Sequence, residues 1–116
     1  MLKTLLGQSA EARAESFLRG RGLTLLARNW RCRFGEIDLV MRDGDTLVFV
    51  EVRLRSHADF GGAPASVTAA KQRKLLAAAR QYLATLDTLP PCRFDVLALS
   101  GSAAPDWIRN AFDDVG

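Results

Sequence analysis

The chain from Phe34 to Arg55 reads FGEIDLVMRDGDTLVFVEVRLR, and this stretch decides the fold. Two apolar runs flank a turn signal in which Asp43–Gly44 and Gly44–Asp45 are both suitable two-residue loops, because these residues tolerate positive φ. The pattern predicts an antiparallel hairpin and leaves the loop open between those two pairs.

Each loop gives a different register for the carboxylates of the hairpin. With Asp43–Gly44 as the loop, Asp38 faces Phe49 and lies diagonal to Glu51; with the other loop, it faces Glu51 directly. Side chains alternate along a strand, so Asp38, Glu51 and Arg53 share one face in both registers. Cross-strand neighbours lie roughly 5 Å apart and diagonal ones roughly 7–8 Å, and a divalent cation can bridge either gap.

The composition is that of a small globular protein. A chain of 116 residues with 48% hydrophobic and 25% charged residues predicts a single domain over residues 1–116. No run approaches membrane-spanning length, and the apolar N-terminus is too short for a signal peptide, so we expect no membrane association and a cytoplasmic location. Cys32 and Cys92 lack metal-site spacing, and we expect both to be reduced thiols.

The basic residues are unevenly distributed, although the net charge is only +3. Between Glu15 and Glu36 every charged residue is an arginine. These are Arg19, Arg21, Arg28, Arg31 and Arg33. Such a stretch can follow a phosphate backbone or can be an ordinary solvated face, and the charge pattern alone leaves both open.

The remaining periodicity predicts helices on either side of the hairpin. We expect a helix from Gly7 to Arg19 with Ser9 as its N-cap, and a second helix from about Thr68 to Leu86. Further elements are a strand at Leu23–Trp30, a loop at Ser56–Val67, a strand at Arg93–Leu99 and a short strand or turn at Trp107–Phe112. This order predicts an α/β sandwich with a mixed four- to five-stranded sheet flanked by helices.

The first turns of the second predicted helix carry Lys71 and Lys74. Cations are mildly unfavourable near a helix N-terminus, so a negatively charged partner is one interpretation and tolerated exposed lysines are the other. Arg93 and Asp95 on the following strand are expected to form an ion pair.

The charged set on the hairpin face suggests metal chemistry. Oxygen ligands from carboxylates suit Mg²⁺ or Mn²⁺ rather than zinc, and such a metal activates water and neutralises a phosphodiester. Solvent-facing carboxylates without a metal are the alternative. His57 is the only histidine, so no histidine pair or triad can be built.

Seven short motifs follow one another along the chain: Gly7-x-x-x-Glu11, Arg28-Asn29-Trp30-Arg31, Gly35-Glu36-Ile37-Asp38-Leu39-Val40, Phe49-Val50-Glu51-Val52-Arg53-x-Arg55, Phe60-Gly61, Lys71-Gln72 and Arg93-Phe94-Asp95-Val96. Together they resemble the YraN-like family of small bacterial proteins. The resemblance covers residues 7–112. That family is similar in turn to restriction-endonuclease-like nucleases of the PD-(D/E)xK type, and among them to archaeal Holliday junction resolvases, which implies a restriction-endonuclease-like three-layer sandwich.

The resemblance implies roles for individual residues. Glu11, Asp38 and Glu51 match the metal-binding acids of the motif, whereas Glu36 has no implied catalytic part. Arg53 stands where the pattern has lysine, which is the main departure: arginine keeps the charge and can fork to a phosphate, but it does not lose its proton. Lys71 or Lys74 can substitute for that lysine, a hypothesis based on position.

Two functions follow from these expectations. The first is a Mg²⁺- or Mn²⁺-dependent nuclease acting on DNA, with branched or distorted structures as candidate substrates and Glu11, Asp38, Glu51 and Arg53 as its catalytic residues. The second is a nucleic-acid-binding or recruitment module on a nuclease scaffold with weakened catalysis. The expected nucleic-acid contacts are Arg28, Arg31, Arg33, Arg55, Lys71 and Lys74. A homodimer is implied by the resemblance to resolvases. A protein-binding module, as a third possibility, leaves the acids unexplained.

Overall fold

The computed structural model describes residues 2–54, 67–101 and 104–112, with side chains from residue 10 onward in the first range. Within these ranges two helices and five strands follow each other in the order αβββαββ. They are α1 (Leu2–Gly20), β1 (Thr24–Cys32), β2 (Gly35–Asp43), β3 (Thr46–Leu54), α2 (Ala69–Leu83), β4 (Cys92–Leu99) and β5 (Asp106–Phe112). The predicted elements are present, and the last one is a strand.

The strands form one mixed sheet in the order β1-β2-β3-β4-β5. Only β3 and β4 pair in parallel; the other three pairings are antiparallel. A parallel pair needs a long crossover, and α2 lies in the connection between these two strands. The predicted mixed sheet of four to five strands is confirmed with five.

The two faces of the sheet carry separate hydrophobic cores. On one face Ala10, Ala14 and Leu18 of α1 pack on Leu39, Met41, Val48, Val50, Leu97 and Leu99. On the other face Leu75, Leu76, Ala78 and Ala79 of α2 pack on Val40, Leu47, Phe49, Phe94, Val96 and Ala98. Burying one leucine side chain contributes about 1.5–3 kcal/mol, so these two layers hold the helices on opposite faces.

The predicted helix boundaries need two corrections. Ser9 is not an N-cap, because α1 already begins at Leu2; the leucines before Ser9 have high helix propensity and extend the helix. α2 ends at Leu83 rather than Leu86, with Ala84 as its C-cap. Its N-cap is Thr68, whose hydroxyl accepts a hydrogen bond from the Lys71 N–H at 3.2 Å.

Some predictions lie outside the described residues. These are the loop from Ser56 to Ser66, His57, the motif residues Phe60 and Gly61, and the nucleic-acid contact Arg55. Within the part of the chain that is described, neither helix combines the length and the apolar content needed to cross a bilayer.

Candidate functional site

The register of the hairpin places its two acids opposite each other. Asp43 pairs with Thr46, which makes Gly44–Asp45 the loop and selects the second of the two predicted registers. The pairing of β2 with β3 ends at Leu39–Val50. Continuing this register by one residue brings Asp38 to face Glu51.

Asp38 lies where β2 and β3 separate. The Val52 N–H donates a hydrogen bond to Asp38 Oδ2 at 2.8 Å, so the carboxylate satisfies a backbone donor where the ladder stops. Burial raises the pKa of Asp38, and the hydrogen bond and charge of the Glu51 carboxyl raise it further, to about 8; the Val52 N–H and Lys71 oppose this. A carboxyl held against another carboxyl is a site that a cation would stabilise.

Glu51 is the most enclosed acid of the site, with a side chain 6% exposed. The Lys71 ammonium of α2 lies 3.3 Å from Glu51 Oε2. This oxygen is buried and accepts no well-formed hydrogen bond from any described donor. An ion pair is a non-directional attraction, so the Lys71 ammonium can lie 3.3 Å from Glu51 Oε2 without making a well-aligned hydrogen bond to it.

Glu11 lies on α1, which packs on the face of the sheet opposite to α2, and its carboxylate approaches Asp38 and Glu36. Its carboxylate accepts a hydrogen bond from Asn29, a β1 residue at a positive φ of 49°. Burial is the main cause that raises the pKa of Glu11; the charges of Asp38 and Glu36 add to it, and the Asn29 hydrogen bond opposes it. A cavity of about 340 Å³ adjoins Glu11 and is also lined by Ala12, Arg28 and Asn29.

Three carboxylates converge closely enough to hold one metal ion. Ligand oxygens of Glu11, Glu36 and Asp38 all lie within 4.8 Å of one another. Glu51 adjoins Asp38 but is not in this group of described residues. The predicted three acids are thus connected through Asp38, and Glu36, which was assigned no part, lies among them. Alternation along β2 already placed Glu36 on the face of Asp38, and that was the available signal.

Arg53 and Lys71 differ in their relation to the acids. Arg53 is half-buried on β3, and it has no ion pair with a residue in the described ranges. Lys71 contacts Glu51 directly. Of the two lysines suggested as substitutes for the motif lysine, the structure brings Lys71 to the site.

The other predicted nucleic-acid contacts have varied surroundings. Arg28 Nε lies 2.6 Å from Glu15 Oε1, and Arg31 Nε lies 3.3 Å from Glu36 Oε2. The Arg33 guanidinium lies 4.9 Å from the Phe34 ring centroid. Lys74 is exposed on α2, and its backbone and Cβ border Gly35 in the turn between β1 and β2.

Glu15 is a residue that sequence reasoning missed. It is 6% exposed and bridges Arg19 and Arg28, so it ties β1 to α1 beside Glu11. Its hydrogen bond with Arg28 is the main reason that its pKa is lowered. Glu15 follows Glu11 by one helical turn, but nothing in the sequence indicates a partner on β1.

The fold and the site define a small mixed α/β protein with carboxylates gathered where two central strands separate. The chain belongs to the uncharacterised protein family UPF0102, whose profile matches residues 10–99. The resemblance to the YraN-like family is confirmed at this level. The matched span contains Glu11, Glu36, Asp38, Glu51 and Lys71.

Relatives of this family cover nearly the whole chain. A UPF0102 protein of Nitrosospira multiformis is 59% identical over 115 residues, which are 97% of this chain and 97% of the relative. A UPF0102 protein of Nitrosomonas eutropha is 59% identical over 108 residues, 93% of either chain. A UPF0102 protein of Cupriavidus necator is 61% identical over 110 residues, 94% of this chain and 83% of the relative.

Proposed function

We propose that this protein is a metal-dependent nuclease that cleaves DNA, built on a restriction-endonuclease-like scaffold. The observation that carries the proposal is the convergence of Glu11 and Glu36 on Asp38, which adjoins Glu51, so that acids from three elements meet, with Lys71 on Glu51. Mutual repulsion and burial make such a group costly without a positive partner, and strongly perturbed carboxyls of this kind cluster at functional sites.

The donor set fits Mg²⁺ or Mn²⁺. Every ligand atom in the group is a carboxylate oxygen, which these ions prefer. Glu11, Glu36 and Asp38 would hold the ion, with Glu51 adjoining through Asp38. When bound, the metal supplies charge neutralisation at the phosphodiester and a water of lowered pKa.

The residues of the chain then have separate tasks. Burial and the Glu51 carboxyl raise the pKa of Asp38. A bound metal ion would lower this pKa again, and Asp38 would then lose its proton. Lys71 takes the electrostatic role of the motif lysine, and Arg53 remains free to contact a phosphate. In this proposal the positively charged side chain is Lys71 on α2 instead of Arg53 on β3.

The test is a cleavage assay on labelled duplex, single-stranded, flap and four-way junction DNA with Mg²⁺, Mn²⁺ or chelator. We expect metal-dependent cutting that falls to background in Asp38→Asn and in Glu51→Gln. Asp87→Asn is a matched control, since Asp87 is exposed beyond α2 and its change removes the same charge. Binding without cutting in either metal would refute the nuclease.

Lys71→Ala separates the two candidate cations. Losing a cation that stabilises transition-state charge costs about 10²–10³ in kcat. Arg73→Ala is the control, because it removes an exposed charge from the same helix. If Lys71→Ala retains full activity while Arg53→Ala loses it, the motif position carries the function after all.

A second candidate function is a DNA-binding or recruitment module with weakened catalysis. The arginine at position 53 favours it, because arginine cannot deprotonate a water. The same assay separates the two functions: this candidate requires DNA binding that survives in chelator and no cutting in either metal.

We infer in addition that the protein acts on DNA in the cytoplasm and as a homodimer. A two-fold assembly matches the symmetry of a four-way junction. The mass of the protein in solution, measured by light scattering, tests the dimer. A monomeric mass with and without junction DNA would remove the dimer and leave the cleavage proposal standing.

A further inference from the structure

The turn between β1 and β2 presents an aromatic ring to solvent. Cys32 pairs with Gly35, so Arg33 and Phe34 form a two-residue loop. Phe34 is 37% exposed, more than any other aromatic residue in the described ranges. Two-residue loops favour glycine, asparagine or aspartate, so turn geometry gives no reason for a phenylalanine here.

The surroundings of this ring are basic. The Arg33 guanidinium lies 4.9 Å from the ring centroid, and Lys74 of α2 borders Gly35 in the same turn. Arg31, one residue before the loop closes, has a side chain 74% exposed. An exposed ring among cations is the combination that binds unpaired nucleobases, with stacking on the ring and contacts from the cations to phosphates.

The ring is also close in sequence to the carboxylates. Glu36 follows Phe34 by two residues and contributes to the group with Glu11 and Asp38. Two residues of extended chain span roughly 7 Å. A nucleotide whose phosphate is bound at the carboxylates would therefore place a neighbouring base within reach of Phe34.

We propose that Phe34 stacks on an unpaired base next to the phosphate bound at the carboxylates, while Arg33 contacts the adjoining backbone. The position of that phosphate rests on the proposed function. The substrate class follows from the chemistry: single-stranded or flap DNA, which offers unpaired bases, is preferred over intact duplex, because both faces of a duplex base are already covered by its neighbours. A base must leave the stack to meet the ring, and that costs least where it is unpaired.

Binding is measured in Mg²⁺, which the proposed phosphate site needs, with a cleavage-resistant phosphorothioate single strand that carries 2-aminopurine, a base analogue whose fluorescence reports stacking. We expect Phe34→Ala to weaken binding about 5- to 150-fold and to abolish the fluorescence change, as the loss of one stacked base does. Phe34→Leu keeps an apolar side chain without a π face, so we expect it to bind almost as weakly as Phe34→Ala and to give little fluorescence change. Leu89→Ala is the control, since Leu89 is an exposed apolar residue (77%) beyond α2.

Salt dependence separates the ring from the cation. Arg33→Ala should reduce the slope of log affinity against log salt by about 1, whereas Phe34→Ala lowers affinity and leaves the slope unchanged. Affinity of Phe34→Ala for intact duplex should match the wild type. Circular dichroism of each variant shows that the fold is retained.

The outcomes separate this inference from the cleavage proposal. Cutting by the wild type with unchanged DNA binding by Phe34→Ala overturns the base contact and keeps the nuclease. Phe34-dependent binding without cutting keeps the base contact and overturns the nuclease. Equal weakening of duplex and single-stranded binding, or full retention by Phe34→Leu, also overturns the base contact, and no DNA binding at moderate salt overturns both.

Discussion

Asp38 and Asp95 are both carboxylates set into the sheet, but their surroundings are opposite. Asp95 is 0% exposed and accepts hydrogen bonds from Arg93 at 3.0 Å, Trp107 Nε1 at 2.9 Å and the Asn110 N–H at 2.9 Å. Asp38 accepts one from Val52 and otherwise faces carboxyl groups. One acid is fully satisfied by its own chain; the other has no ion pair with a described residue, and Lys71 acts on it through its charge.

The comparison separates a buried acid that serves the fold from one that would hold a metal ion under the proposed function. The expected Arg93–Asp95 ion pair is confirmed, and Arg93 also reaches Asp43 at 3.0 Å. This network joins the hairpin, β4 and β5, so it stabilises the fold. A buried acid without matching donors costs stability, and such a cost is typical of a site kept for function.

The largest expected effect is at the satisfied acid. Asp95→Ala should lower the free energy of unfolding by about 3–5 kcal/mol, because it removes one partner of a buried ion pair and takes the acceptor away from the Trp107 Nε1–H and the Asn110 N–H. Urea denaturation measures this, with Asp87→Ala expected to change stability by at most about 0.5 kcal/mol. A loss for Asp95→Ala that is no larger than the control would contradict the structural role.

Metal binding should stabilise the folded protein by neutralising the charge of Asp38. A ligand that binds only the folded state stabilises it by about 2.7 kcal/mol at 100 times its Kd, so Mn²⁺ should raise the Tm of the wild type. Asp38→Asn should lose this rise and Asp87→Asn should keep it. An equal rise in Asp38→Asn would place the metal elsewhere.

The smaller effect of Asp38→Asn itself depends on pH. Because the pKa of Asp38 is raised from 3.8 to about 8, the folded state binds this proton more tightly, and metal-free stability falls as pH rises through that window. Asparagine does not ionise, so the stability gain of Asp38→Asn in chelator should grow between pH 5 and pH 8 by about 1 kcal/mol or more. A gain that is constant with pH would show that Asp38 titrates normally.

The smallest effect is expected at Glu15 and has the opposite sign. The hydrogen bond with Arg28 lowers the pKa of Glu15 below 4.5, so its contribution is present above that pH and is lost as pH falls through the lowered pKa. Arginine side chains, not the core, cover this carboxylate, and solvent screening keeps the effect small. The Tm difference between wild type and Glu15→Gln should be largest at pH 7 and close towards pH 3; a gap that persists at pH 3 would contradict it.

The order of elements could be predicted from the sequence because local signals determine it. Alternation in the hairpin and helical periodicity in α1 and α2 act over a few residues. The hairpin loop stayed undecided between two choices, since Gly44 suits both. The structure pairs Asp43 with Thr46. Both registers keep each side chain on the same face, so alternation could not distinguish them.

The acids could be predicted, but their grouping could not. Alternation gave Asp38 and Glu51 a shared face, yet the inclusion of Glu36 and the distance of Glu51 from Glu11 depend on tertiary structure. Asn29 takes a positive φ opposite this part of β2, and no sequence signal specifies that. The contact of Lys71 with Glu51 depends on how α2 packs, so the sequence indicated it by position alone.

The hydrogen bond from Val52 to Asp38 has a consequence for how this site can vary. It connects one acid to the backbone of the strand that carries the other, so the separation of the two acids is set by main-chain atoms. Side chains beside them are then interchangeable without disturbing that spacing. An arginine at position 53 and a lysine brought in by α2 fit such a division: a fixed anionic frame, and a positive charge that different elements of the fold can supply.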